Sequence, residues 1–157
     1  MVASLYSIPP KEIPRRSEEI LRLLDLRAAT YQLIETYSKG MRRKIALAGA
    51  LVHNPKVLIL DEPTEGLDPP SAKLVKDLLR ELSERGVTVF LTTHILEIAE
   101  HFCDRVGIIN SGKLIVEGTT QELLVERKEK NLEDLFLKLV GGSRYQEMIT
   151  YLDREWR

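Results

Sequence analysis

The stretch "KVLILDEPTEGLDPP", residues 56–70, decides the fold class of this chain of 157 residues. It begins with a continuous apolar run, Val57–Leu60, that stops at the acidic pair Asp61 and Glu62 and at a proline. A short apolar run with such ends is typical of a buried strand in a parallel sheet. The glycine, aspartate and two prolines that follow predict a tight turn and the start of a helix.

Downstream of this stretch, the spacing of apolar residues alternates between that of a helix and that of a strand. The predicted helices are Ser71–Glu84 and Ile95–Phe102, and the predicted strands are Val87–Leu91, Arg105–Asn110 and Lys113–Glu117. Thr119 and Glu122 fit a capping box that opens a further helix. Strand–helix–strand alternation predicts an α/β fold in which the first two strands pair in parallel.

The two ends of the chain are predicted to be mostly helical. Residues 1–14 contain three prolines and are expected to be extended, and Ser17 is expected to cap the helix that follows. A helix is predicted from Met41 to Val52, and one or two amphipathic helices are predicted within 131–157. The predicted organisation is a helical part over 1–55, an α/β core part over 56–118 and a helical tail over 119–157.

The composition is that of an ordinary protein with a globular core. A net charge of -1 gives no indication of nucleic acid or of an anionic membrane as a partner. A single cysteine excludes a disulfide within the chain. Apolar runs are too short to span a membrane, so any work at a membrane would require a partner that holds the chain there.

Polar residues follow both predicted parallel strands, and their positions suggest a chemistry. Asp61 and Glu62 end the first strand, and His94 follows the second. Because ligands bind at the carboxyl ends of parallel strands, the three are expected at one edge. In enzymes that hydrolyse nucleotides, the first acidic residue of such a pair holds Mg²⁺, and the second can orient or deprotonate the attacking water. The alternatives are that the acids belong to a turn and that the histidine is structural.

Five segments, in order, resemble the ATP-binding subunit of ABC transporters. They are "YSKGM" at 37–41, "VLILDEP" at 57–63, "GLD" at 66–68, "TTH" at 92–94 and "GIINSGKLIVEGT" at 107–119. The resemblance covers residues 10–140. It implies the fold of an ABC ATPase, a P-loop NTPase, here as a partial parallel sheet with an N-terminal helical subdomain and a C-terminal helical tail.

The resemblance also implies roles for single residues in binding ATP and Mg²⁺. Ser38 and Gly40 match the signature motif, which contacts the γ-phosphate of ATP held on the opposite subunit. Asp68 matches the aspartate that couples the two sites across the dimer. These roles require a second ATP-binding subunit, with a homodimer expected.

The residues at the strand ends match the catalytic part of the same family. Asp61 matches the aspartate that acts on Mg²⁺, Glu62 the catalytic glutamate and His94 the switch histidine at the γ-phosphate. Transmembrane transporter subunits are the implied partners, and nucleic acid is not. The implied location is cytoplasmic, peripheral to the inner face of the cell membrane.

Two departures from the family pattern refine this interpretation. "YSKGM" differs from the commoner Leu-Ser-Gly-Gly-Gln and is similar to variants of exporter-type members, which favours export. The phosphate-binding loop G-x-x-x-x-G-K-[ST] is absent from the sequence. The chain is therefore similar to the C-terminal part of the ATPase domain, and we expect it not to hydrolyse ATP alone. The resemblance also implies a further strand in the sheet, between the strand that ends near His94 and the strand that begins near Arg105. This sequence does not supply that strand, which predicts unpaired sheet edges and self-association.

Two other hypotheses remain open at this point. The C-terminal half of a chromosome-maintenance or DNA-repair ATPase would share the signature helix and the acidic strand end, but it would need a long heptad segment leading in. A non-catalytic dimerisation module from a split gene is also compatible with an incomplete site.

Four cations crowd the start of the predicted signature helix, where acidic residues are favoured. They are Lys39, Arg42, Arg43 and Lys44. One explanation is that they attract an anion to the free N–H groups of the helix start. The other is that Arg42, Arg43 and Lys44 extend into solvent.

Overall fold

The computed structural model describes residues 2–156, with side chains except at positions 2, 142–146 and 149. The helices are α1 (Val2–Leu5), α2 (Ile13–Leu23), α3 (Lys39–Leu51), α4 (Pro69–Glu84), α5 (Leu96–Phe102), α6 (Thr120–Arg127), α7 (Leu132–Val140) and α8 (Gly142–Glu155). The strands are β1 (Val57–Asp61), β2 (Thr88–Thr92), β3 (Val106–Asn110) and β4 (Lys113–Gly118). Residues up to Thr92 form one compact unit and residues from Thr93 form another.

The first unit is built around the predicted parallel strand pair. β1 and β2 pair in register from Val57 opposite Thr88 to Asp61 opposite Thr92. The connecting helix α4 packs against β2. The parallel pair and its crossover helix confirm the predicted α/β fold.

Only one face of this strand pair is covered by the described residues. Leu58 is buried on the covered face. On the other face Val57, Ile59 and Phe90 are 56%, 74% and 58% exposed. The prediction that both strands are fully buried is therefore wrong for this chain, because α4 covers one face and no described element covers the other.

The helical part before β1 begins earlier than the sequence predicts. Residues 1–14 were expected to be extended, yet α1 forms at Val2–Leu5 and α2 begins at Ile13, with a proline in its first turn. A proline is tolerated there because the first helical N–H groups have no partner inside the helix. Ser17 lies inside α2 and does not cap it. Ala3, Ile8 and Val52 form a small buried cluster here.

The second unit contains an antiparallel hairpin and the helical tail. β3 and β4 pair in antiparallel fashion and are joined by a turn with Ser111 and Gly112 at φ of 50° and 75°. The capping box of Thr119 and Glu122 is confirmed at the start of α6. The core of the unit is formed by Ile108, Leu123, Leu132 and Leu135.

The strands of the described chain form two separate two-stranded sheets, β1–β2 and β3–β4. Among the described residues, each strand therefore pairs along one edge only. No helix within residues 2–156 has the length and hydrophobicity needed to cross a bilayer.

Candidate functional site

The acidic pair lies where β1 ends beside β2, as predicted. Asp61 is the last residue of β1 and faces Thr92 in the register of the pair. The hydroxyl of Thr92 donates a hydrogen bond to Oδ1 of Asp61. The next backbone N–H, that of Glu62, donates to the carbonyl of Thr92 over 3.1 Å. β2 therefore orients both the Asp61 side chain and the Glu62 backbone.

The chain turns sharply at Glu62. Its φ is 48°, in the left-handed region that residues with a Cβ rarely adopt. The carbonyl of Glu62 accepts the N–H of Glu65 over 3.2 Å, and that of Thr64 accepts the N–H of Leu67 over 3.3 Å. Thr64 is buried, which fixes this loop on the unit. At Glu62 the backbone therefore leaves the extended path that Asp61 follows as the last residue of β1.

The start of α3 carries the two predicted signature residues. Ser38 is its N-cap, and its hydroxyl accepts the N–H of Met41 over 3.2 Å. Gly40 lies against the loop, since a Cβ at this position would be 3.4 Å from Cδ2 of Leu67. Gly66 has φ of 70°, and a Cβ there would be 3.0 Å from Cε of Lys39. The helix start and the loop after Glu62 therefore form one packed substructure.

Two of the four cations at this helix start are paired with Glu65. Its carboxylate accepts from Nη2 of Arg43 over 2.5 Å and from Nζ of Lys39 over 3.3 Å. The same Arg43 guanidinium donates through Nη1 to the carbonyl of Glu62. The hydrogen bond and charge of Lys39, together with the charge of Arg43, hold the pKa of Glu65 below its ordinary value. An internal carboxylate thus pairs with two of the cations for which the sequence suggested an external anion.

The other two cations also make contacts within the fold. Arg42 donates to the carbonyls of Tyr37 and Glu35 over 2.9 Å and 3.2 Å. Lys44 is buried, with 7% of its surface exposed. The explanation in which the cations extend into solvent is therefore wrong for Arg43 and Lys44, whereas Arg42 is exposed while it donates to these carbonyls.

Asp68, the predicted coupling aspartate, is the N-cap of α4. Its Oδ1 accepts the N–H of Ser71 over 2.9 Å. That hydrogen bond, together with the positive charge of Lys44, lowers the pKa of Asp68. The residue is exposed, so its carboxylate is ionised and accessible at neutral pH.

The donor chemistry at the end of β1 fits Mg²⁺. Among residues 2–156 there is no cluster of three or more His, Cys, Asp or Glu side chains that could hold a metal. Mg²⁺ is commonly held by one or two carboxylates together with substrate phosphates and water. Asp61 is exposed and supplies one such carboxylate. Ser38 and Gly40, at a helix start, suit an anion such as a phosphate.

His94 follows β2 and is the second residue of the second unit, where its side chain is exposed. The remaining predicted site residues, Ser38, Gly40, Asp61, Glu62 and Asp68, all lie in the first unit.

Comparison with known proteins decides the family. The linearmycin resistance ATP-binding protein LnrL of Bacillus subtilis is 40% identical over 119 residues, which are 76% of this chain and 38% of LnrL. The Nod factor export ATP-binding protein I of Rhizobium leguminosarum is 40% identical over 122 residues, 78% of this chain and 39% of that protein. A solved ATP-binding subunit of an ABC transporter superposes with a TM-score of 0.80 at 29% identity, over 88% of this chain and 58% of that one.

A family profile described as "AAA domain, putative AbiEii toxin, Type IV TA system" matches residues 3–100. This chain belongs to the ABC transporter nucleotide-binding domains. The fold is that of an ABC ATPase, and the resemblance seen in the sequence is confirmed. The matched part of this chain spans 38%, 39% and 58% of the lengths of the three proteins named above.

The sequence reasoning missed the residues that support this site. Thr92 was noticed only as part of "TTH", yet parallel pairing alone places it opposite Asp61. Glu65 was seen as part of a turn, and its pairing with Lys39 and Arg43 depends on packing over 26 and 22 positions of separation. No pattern local to residues 56–70 carries that information.

Proposed function

We propose that this chain provides the signature motif and the catalytic carboxylate of an ATP-hydrolysing subunit of an ABC exporter. The observation that carries the proposal is the packing of the α3 start, with Ser38 and Gly40, against the loop that leaves Asp61 and Glu62. One compact unit thereby holds the helix start proposed to bind a phosphate and two carboxylates. One carboxylate is proposed to bind the metal, and the other to act as the general base.

Each residue has a distinct role in the proposed reaction. Asp61, with one oxygen bonded to the Thr92 hydroxyl, would hold Mg²⁺, and the ion would supply positive charge that stabilises the phosphates in hydrolysis. Glu62 accepts a proton from, or orients, the attacking water. His94 contacts the γ-phosphate. Ser38 and Gly40 contact a γ-phosphate presented by the opposite subunit, and Asp68 couples the two sites.

The proposed site is completed by a phosphate loop from outside these 157 residues. The sequence contains no G-x-x-x-x-G-K-[ST] segment that could cradle the phosphates. The chain therefore acts as a C-terminal portion of the ATPase domain and does not hydrolyse ATP by itself. Its three functional parts are the signature subdomain 1–55, the core part 56–118 and the tail 119–157.

The proposed partners and location follow from the family. ATP-binding subunits of ABC transporters work with transmembrane subunits and are generally peripheral to the membrane. We place this chain on the cytoplasmic face of the cell membrane, bound to transmembrane subunits and to a second ATP-binding subunit. Export is supported by the "YSKGM" signature and by the names of the two relatives, one a resistance protein and one an export protein.

Affinity purification tests the completion of the site. The tagged chain, purified under mild conditions from the cells that make it, is expected to bring down a polypeptide containing G-x-x-x-x-G-K-[ST] together with membrane subunits. The material is then tested for binding of a fluorescent ATP analogue in Mg²⁺. Recovery of copies of this chain alone, without nucleotide binding, would instead support a non-catalytic dimerisation module.

A further inference from the structure

Glu62 has an unusual backbone conformation for a residue with a long side chain. Its φ of 48° lies in the left-handed region, where the Cβ approaches the backbone too closely. Such conformations persist only where the surrounding structure holds them. The Glu62 N–H donates to the Thr92 carbonyl over 3.1 Å, which fixes one side of its backbone.

The other side of the Glu62 backbone is held by Arg43. The Arg43 side chain is 26% exposed and reaches from α3 to the loop. Its Nη1 donates to the Glu62 carbonyl, while its Nη2 donates to Oε2 of Glu65 over 2.5 Å. A guanidinium presents its donors in a rigid planar fork, so one group can grip both acceptors at a fixed separation. A lysine has rotatable donors on a compact charge and lacks this rigid fork.

We propose that Arg43 is a positioning residue for Glu62: its guanidinium holds the Glu62 backbone in the left-handed conformation that aims the carboxylate, and Glu65 holds the guanidinium. The link to catalysis rests on the proposed function of Glu62. The arrangement joins the helix that carries Ser38 to the backbone of the catalytic carboxylate within one chain. Glu65 acts through Arg43 and makes no contact with the reacting groups.

Hydrogen exchange of the complete 157-residue chain, measured by mass spectrometry, tests the positioning itself. Arg43→Ala is expected to speed exchange of the peptide covering 62–67 about tenfold, because two hydrogen bonds from a charged group are lost. The matched control is Arg42→Ala, which removes the neighbouring guanidinium and its bonds to the carbonyls of Tyr37 and Glu35. It should leave exchange over 62–67 within about twofold of the wild type.

A second substitution separates backbone positioning from general packing. Glu62→Gly removes the penalty of the left-handed conformation, so adding it to Arg43→Ala is expected to slow exchange at least about threefold. Glu62→Gln also removes the charge but keeps the Cβ, and adding it to Arg43→Ala should give no recovery. Equal recovery with both, or no effect of Arg43→Ala, would overturn the proposal.

A milder substitution covers the case in which Arg43→Ala loosens the fold as a whole. If Arg43→Ala also speeds exchange throughout α4, Glu65→Gln replaces it and should likewise speed exchange over 62–67. Unchanged exchange there would contradict the proposal.

The consequence for catalysis is measured separately. In an ATP-hydrolysing assembly, Arg43→Ala is expected to lower kcat about tenfold with KM for ATP unchanged. An assembly whose turnover does not need Glu62 would refute the proposed function while leaving the exchange result intact.

Discussion

The hydroxyl of Thr92 donates a hydrogen bond to the carboxylate of Asp61 across the parallel pair of β1 and β2. This contact orients the Asp61 carboxylate, which is exposed at the end of β1. Removing a residue that hydrogen-bonds to a metal-binding side chain commonly lowers the affinity for the metal by tenfold or more. Thr92 is therefore a supporting residue of the proposed Mg²⁺ site.

Thr92→Val is expected to raise the Mg²⁺ concentration for half-maximal ATP hydrolysis about tenfold in an assembly that contains this chain. Valine keeps the branched shape and removes only the hydroxyl. The measurement is a Mg²⁺ titration at saturating ATP. Thr88→Val is the matched control, because Thr88 lies on the same strand, pairs with Val57 and should not alter the titration. An unchanged Mg²⁺ requirement in Thr92→Val would contradict this role.

Asp68 is expected to make the stability of the chain depend on acid. The N–H of Ser71 and the charge of Lys44 lower its pKa in the folded state. A lowered pKa means that the stabilisation is present above the ordinary aspartate pKa of about 3.9 and is lost as the pH falls through the folded-state value. Asp68→Asn keeps an oxygen that can accept from Ser71 but cannot titrate.

Urea unfolding of the wild type and of Asp68→Asn, followed by circular dichroism between about pH 6 and about pH 3, measures this effect. The wild type should have the higher unfolding midpoint at the upper end, and the difference should shrink as the pH falls below the ordinary aspartate pKa of about 3.9. A difference that stays constant across this range would show that the Asp68 charge does not stabilise the fold.

Thr119→Ala is expected to reduce the free energy of unfolding of the second unit by about 1 kcal/mol. The Thr119 hydroxyl accepts the N–H of Glu122 over 3.2 Å at the start of α6. Thr120→Ala is the control, because the Thr120 hydroxyl is buried without a hydrogen-bond partner among the described residues. Equal destabilisation by the two substitutions in urea unfolding would argue against the capping role.

The uncovered sheet face predicts that the isolated chain self-associates. Ile59 and Phe90 are 74% and 58% exposed on adjacent strands with free edges. Sedimentation velocity over a concentration series should show species larger than 18.0 kDa, and the pair Ile59→Thr and Phe90→Thr should reduce them. Leu33→Thr, at a site 70% exposed outside the sheet, is the control. A monomer at all concentrations would contradict this prediction.

The sequence predicted those parts of the fold that depend on local pattern. The strand 57–61, the crossover helix and the capping box at Thr119 are set by apolar period and by capping chemistry, which can be read from neighbouring residues. The start of α2 was not predicted because the three prolines before it indicated an extended segment. In the structure Ile13 and Ile20 pack against the buried cluster that contains Val52. That packing joins positions far apart in the chain.

In the candidate site, too, the features set by local sequence pattern were predicted, and those set by packing between distant residues were not. The acidic pair and the signature residues Ser38 and Gly40 were predicted because they are recognisable as short motifs, although α3 begins at Lys39, before the predicted start at Met41. The cations of α3 could not be interpreted, since the carboxylate that binds Lys39 and Arg43 comes from a different element. The left-handed φ of Glu62 was equally hidden, because the residue is neither glycine nor asparagine.

ATP hydrolysis measured with Glu62 intact and with Glu62→Gln tests whether this chain supplies the catalytic carboxylate. The 157-residue chain alone is expected to show no Mg²⁺-dependent turnover. The assembly purified with it, containing a phosphate-loop chain, should hydrolyse ATP, and the same assembly carrying Glu62→Gln should be slower by at least about a hundredfold. Turnover by the isolated chain that disappears on Glu62→Gln, or an assembly whose turnover is unchanged by Glu62→Gln, would contradict the account.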